Sequence, residues 1–172
     1  MGNPQGTLTS YIAGLMDGEG SIWIGRIKYK DRFHYRSTVM ITNTDIDIIQ
    51  TFINYLKYHK LSYSIRADDR RKAGRRICYS VQITRDKDKL TFIGLVKPYL
   101  SGTKKRLATI AENYLVYRMT LFAEIERRRL PNGRYGKSVN NKHGEAEEQF
   151  FQQYKLIKDA SETTSKTLTK FE

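Results

Sequence analysis

Asp17-Gly18-Glu19-Gly20 places two carboxylates two residues apart on a glycine-rich backbone, just where the apolar stretch Tyr11-Ile12-Ala13-Gly14-Leu15-Met16 ends. The rest of the chain is cationic. Lys and Arg number 31 against 18 Asp and Glu, a formal net charge of +13. Such an excess favours a polyanionic partner, because neutralised phosphates release condensed counterions. A carboxylate beside a phosphate-binding surface is repelled by its ligand unless a cation stands between them. Mg²⁺ suits that place: it is a hard ion bound by one or two carboxylates, waters and phosphate oxygens. The competing reading is a generically basic protein with no such partner. An anionic membrane fits poorly, since the basic residues do not gather on one amphipathic helix.

Composition narrows the class further. At 172 residues, with 39% hydrophobic and 12% aromatic side chains, the chain has the material for one domain with a substantial core. Cys78 is the single cysteine, which excludes an intrachain disulfide and a metal–thiolate cluster. No apolar run approaches a membrane span and no secretory apolar segment opens the sequence, so the reading is a soluble chain with no membrane partner. The compartment stays open between an organelle and a prokaryotic cytoplasm.

The elements that must position the carboxylates follow from periodicity. A helix capped at Thr7, Thr9 or Ser10 runs to about Gly18. Within it Gly14 and Gly18 fall one turn apart, with Ala13 adjacent; small residues at this spacing let a second backbone approach closely. Each interior glycine costs about 1 kcal/mol relative to alanine, which points to a packing requirement. Residues 21–43 read as two strands joined near Asp31, and Thr44 as the cap of a helix reaching Lys60. Strands follow at Ser62–Arg70 and Arg76–Thr84, then a helix from Asp86 to Lys97, stopped at Pro98. A long helix starts after Gly102, and a last one spans Glu145–Ala160 beyond the turn at Pro131-Asn132-Gly133. The order α-β-β-α-β-β-α predicts an α+β fold: a four-stranded antiparallel sheet with helices on one face. Residues 7–128 form the core domain, 129–160 an extension, and the Ser/Thr-rich 161–172 a disordered tail.

The second face of such a sheet is solvated or binds something. Alternation places His34, Arg36, Thr38 and Met40 there, with Ser64, Arg66, Asp68 and Arg70, and with Arg76, Cys78, Ser80 and Gln82. In the first strand Arg26, Lys28 and Lys30 share parity with Ile22 and Ile24. A bulge at Gly25 would flip the phase and aim the three cations outward. A two-stranded ribbon of Arg, Lys, Gln, Ser and His can read base edges in a DNA major groove. The bland alternative, a merely solvated face, suits any one strand better than it suits three or four together.

Ile12-Ala13-Gly14-Leu15-Met16-Asp17-Gly18-Glu19-Gly20 resembles the LAGLIDADG motif of the homing endonucleases, with Glu in place of the final Asp. The strand–strand–helix order behind it, and Pro98-Tyr99-Leu100 ahead of Lys104 and Lys105, extend the resemblance over residues 7–128. It implies that Glu19 ligates a catalytic Mg²⁺, for which Mn²⁺ or Ca²⁺ can substitute, with the Gly18 carbonyl as second ligand. It implies a helix–helix interface through Ala13, Gly14, Asp17 and Gly18. Asn43 would position the attacking water, and Lys104 or Lys105 would stabilise developing phosphate charge. Only one motif exists, so a homodimer is implied, forming a saddle over double-stranded DNA. Its contacts would be Arg26, Lys28, Lys30, His34, Arg36, Thr38, Arg66, Arg70, Arg76 and Gln82. The expected activity is hydrolysis of both strands at a long pseudo-palindromic site, as in intron homing. The rival is a non-catalytic intron RNA maturase, or a DNA-binding regulator on the same fold. Target sequence and host gene are not encoded in the residues.

Overall fold

The structure is a computed structural model that describes residues 4–30, 32–69, 76–127 and 142–168. Helix α1 (Pro4–Gly18) leads into the hairpin β1 (Gly20–Tyr29) and β2 (Arg32–Asn43), then α2 (Ile46–Tyr58). A second hairpin, β3 (Tyr63–Asp68) and β4 (Cys78–Ile83), precedes α3 (Asp86–Val96) and a 3₁₀ turn (Lys97–Tyr99). Helices α4 (Gly102–Arg127) and α5 (Lys142–Leu168) complete the order. The last helix is longer than its apolar spacing alone marks, and takes in most of the Ser/Thr-rich end. The turn at Pro131-Asn132-Gly133 lies outside the described residues. Among the described residues no helix is long and apolar enough to cross a membrane.

All pairings are antiparallel, and the sheet order β1-β2-β4-β3 joins the two hairpins through their second strands. One face is apolar at every second residue. Ile22, Val39, Ile41, Val81 and Ile83 lie buried against Ile12 and Met16 of α1, Phe52 of α2 and Phe92 of α3. Phe52 and Phe92 meet edge to face with centroids 5.6 Å apart, the arrangement that ring quadrupoles favour. A second cluster, Ile24, Tyr35, Leu107, Tyr114 and Tyr154, seats α4 and α5 against the first hairpin. Helix α2 opens one residue later than its sequence signal: Asp45, not Thr44, is the cap, its carboxylate accepting the Asp47 N–H.

The bulge at Gly25 is absent. The β1–β2 register runs unbroken from Gly20↔Ile41 to Tyr29↔Arg32, so parity is kept throughout. Arg26 and Lys28 therefore share the helix side of the sheet with Ile22 and Ile24, contrary to expectation. Arg26 lies between the rings of Phe33 and Phe151 and pairs with Glu148 of α5 at 2.9 Å. Lys30 leaves the strand with a left-handed φ of 51° at the hairpin turn.

Gly25 answers a different need. A Cβ there would stand 1.5 Å from Cζ3 of Trp23, because the indole lies flat across the glycine. Gly25→Ala is expected to evict the ring and destabilise the fold by about 1–3 kcal/mol, the usual cost of overpacking. Because Trp23 is the sole tryptophan, a lowered Tm with a shifted emission maximum checks this in one sample. Unchanged emission would show that the ring does not rest on Gly25.

Candidate active site and nucleic-acid interface

Glu19 occupies the single residue between the end of α1 and the start of β1. Its N–H closes the helix onto the Leu15 carbonyl at 2.8 Å, while its side chain is exposed. The reversal of direction is tight. A Cβ on Gly20 would fall 2.6 Å from the Cα of Met16, so only glycine lets the strand leave beside the helix. The alternation of acid and glycine thus has a steric reason at Gly20.

The two acids separate cleanly. Asp17 accepts the Ser101 hydroxyl at 2.8 Å and the Ser101 N–H at 3.1 Å. Ser101 in turn offers its carbonyl to the Lys105 N–H at 3.1 Å, which is how an N-cap residue opens a helix. The motif helix therefore holds the start of α4. Gly102, with φ of +44°, makes the turn that this attachment requires.

One turn further, Lys104 reaches back and donates to the Gly20 carbonyl at 2.6 Å. Burial lowers its pKa, and the nearby charge of Asp17 partly restores it. Lys105 is exposed. Of the two lysines, Lys104 is the one brought to the Glu19–Gly20 corner.

Asn43 ends β2 at the same end of the sheet, since Gly20 stands opposite Ile41. Its Oδ1 accepts the Asp45 N–H at 2.8 Å and so shapes the entry to α2. Ala13 is fully buried in the core and faces the sheet rather than the open side of α1. Gly14 and Gly18 do lie on the open side, and a Cβ on either would meet nothing within 4 Å. Leu8 and Tyr11 share that side at 40% and 49% exposure.

The sheet face away from the helices carries Trp23, Gly25, Ile27 and Tyr29 from β1 opposite Thr38, Arg36, His34 and Arg32 from β2. Gln82 and Ser80 of β4 stand between Met40 and Thr42 on one side and Ser64 and Arg66 on the other. His34 and Arg36 are exposed here, His34 against the edge of Tyr29. Thr38 shares the face but is only 3% exposed, so its hydroxyl cannot reach a ligand. Arg66 and Arg76 are exposed and Gln82 is half-buried; Arg70 lies outside the described residues.

Two contributors escaped the sequence reading. Ser101 was detectable, because a serine before a helix start is a standard cap signal. Trp23 was not: its alternation is that of any strand residue, and only the tertiary packing lays the ring over Gly25.

Helix α5 is fastened by charge. Glu148 accepts from Arg26 and from the Tyr35 hydroxyl, and Glu147 pairs with Arg118 at 3.4 Å. Burial first, then the Glu148 contact, pushes the Tyr35 phenol up to about 12. Burial alone would raise the Glu148 pKa, but hydrogen bonds from Tyr35, Gln152 and Arg26 outweigh it and hold the carboxyl below its usual range.

No curated protein matches the chain in sequence. Solved structures do match in fold. The homing endonuclease I-CvuI in complex with its target superposes with a TM-score of 0.54 at 13% identity, over 89% of this chain and 96% of that one. I-GzeII in complex with a DNA target gives 0.56 at 19% identity, over 83% of this chain and 42% of I-GzeII. I-CeuI, a group I intron-encoded homing endonuclease complexed with DNA, gives 0.53 at 15%, over 73% and 62%. The chain thus spans nearly all of I-CvuI but under half of I-GzeII. At such identities these likenesses establish the fold alone. The profile of the LAGLIDADG endonuclease matches residues 12–120, well over half of the sequence and inclusive of the Glu19 corner, and the chain belongs to that family.

Proposed function

We propose that this chain is a site-specific DNA endonuclease that works as a homodimer, with a divalent cation, Mg²⁺ by preference, at Glu19. The observation that carries the reading is the corner where an exposed carboxylate at the end of α1 stands next in sequence to Gly20, whose carbonyl accepts from the Lys104 ammonium. The donor chemistry fits a hard cation: a carboxylate beside the peptide oxygens of the Gly18 turn. Among the described residues no three His, Cys, Asp or Glu side chains converge, so one chain supplies an incomplete shell. Waters, phosphate oxygens and the equivalent residues of a second copy would complete it. When bound, the cation supplies Lewis-acid stabilisation at the scissile phosphate and acidifies water.

The chain's own groups do the rest. Glu19 fixes the cation at the rim of the nucleic-acid face. Lys104 offsets negative charge developing on the phosphate, from a position held by the Asp17–Ser101 attachment. One carboxylate per chain means one strand per chain, and a two-fold dimer serves both strands of a pseudo-palindrome. The open side of α1, with Leu8, Tyr11, Gly14 and Gly18, is the surface on which two copies would close.

The test is incubation with a randomised duplex library in Mg²⁺, followed by sequencing of the cut ends, alongside sedimentation at micromolar protein. Dimers that cut both strands of a related set of sequences are expected. Duplexes left intact while intron RNA is bound tightly would sink the nuclease reading in favour of a maturase.

A further inference from the structure

We propose that Arg36 is the guanine reader of this chain, pre-set on the sheet face by Trp23 lying over Gly25. The assignment rests on the DNA reading above and deepens it, from a surface to one side chain and one base.

The unbroken register puts Arg36 directly opposite Gly25, so no side chain competes for the space beside it on β1. Trp23 fills that space. Its ring covers the glycine, and the Arg36 guanidinium carbon lies 5.5 Å from the ring centroid. A guanidinium at this distance over an indole is held by cation–π attraction. The indole also packs against the cluster that holds Ile24, Leu107 and Tyr154, so the plate itself is anchored to the core.

Of the other arginines near the first hairpin, Arg32 shares the face at the turn but lies over no described ring, and the rest are tied up. Arg26 is tied to Glu148, and Arg118 to Asp86 and Glu147, all on the helix side. Arg36 is exposed and makes no ion pair with a described residue. Held over the ring rather than in an ion pair, its N–H donors stay available for a planar acceptor pair. Guanine presents such a pair in the major groove, O6 with N7, and bidentate Arg–guanine contact follows from that geometry. The ring contact restricts the side chain before DNA arrives, which reduces the ordering cost of the contact.

Position sharpens the inference. Gly25 is six residues beyond Glu19, so Arg36 stands roughly 20 Å along the strand from the catalytic corner. The guanine should therefore lie several base pairs from the cut, once in each half-site. A phosphate contact by the same arginine is the alternative, and it would carry no base preference.

The experiment is selection of bound duplexes from a randomised library by the full-length protein, by Arg36→Ala and by Arg36→Lys. Wild-type pools should show guanine at one two-fold-related pair of positions. Arg36→Ala should lose that preference there alone, with discrimination falling roughly 5- to 150-fold, the range of one bidentate contact. Lysine should restore binding strength more than base preference, because it is a point charge without the fork. Trp23 fluorescence confirms that the variants are folded and reports loss of the cation over the ring. If Arg36→Ala binds all sequences more weakly but selects the same bases, the assignment is overturned. If wild-type protein selects no duplex at all, the DNA reading fails, and this assignment with it.

Discussion

Glu19→Gln is expected to lower cleavage of a selected duplex by about 10³-fold or more, since a cation held there would supply several kcal/mol to the proposed chemistry and each 1.36 kcal/mol is a factor of ten. Binding of the same duplex should stay equal or tighten, because a negative charge facing phosphates is removed. The fold should be indifferent. The carboxylate is exposed, and the bond that Glu19 contributes to the end of α1 comes from its backbone N–H, which glutamine retains. Gel-shift titration and plasmid cutting on one preparation separate the effects. A Glu19→Gln variant that cuts normally would remove the cation from Glu19 and leave the corner without a chemical role.

Lys104→Met carries the second large effect, and Lys105→Met is its control. If Lys104 serves the reacting phosphate as proposed, its loss should lower kcat by about 10²- to 10³-fold, as for other preorganised groups that meet developing charge. It also strips the Gly20 carbonyl of its 2.6 Å donor, so about 1–3 kcal/mol of stability should go with it. Lys105 is exposed rather than drawn into the corner, so its methionine variant should lose neither property appreciably. Single-turnover cleavage and a thermal melt of both variants decide between the lysines. Equal losses would show that charge along α4 matters but the Gly20 contact does not.

How much was legible in advance depends on the length scale of each cause. The element order and the α+β class follow from local periodicity, and the structure repeats them. The two acids were distinguishable in the sequence, but the intrachain partner of Asp17 was not. Within the chain its bonds run to Ser101, on a helix 84 residues away. Neighbours on a helix diverge by about 100°, so the core takes Ala13 while Gly14 faces outward. Lys104 and Lys105 diverge in the same way, and a sequence ambiguous by one residue cannot choose between them.

The first hairpin shows the limit best. Two accounts of Gly25 agreed with the sequence, a bulge that turns Arg26 and Lys28 outward, or a vacancy for a neighbouring ring. Local preference cannot separate them, because the deciding partners lie far along the chain. Glu148 sits on α5, where it neutralises Arg26, and Trp23 needs the space that a side chain at 25 would fill. By itself the sequence determined the strands, the motif, the excess of positive charge and the carboxylate at the end of the motif helix, because each is written in the residues themselves. Which cations face the nucleic acid and which are spent on holding the fold was decided only by the tertiary structure, since an arginine's role depends on whether an acid from another element reaches it first.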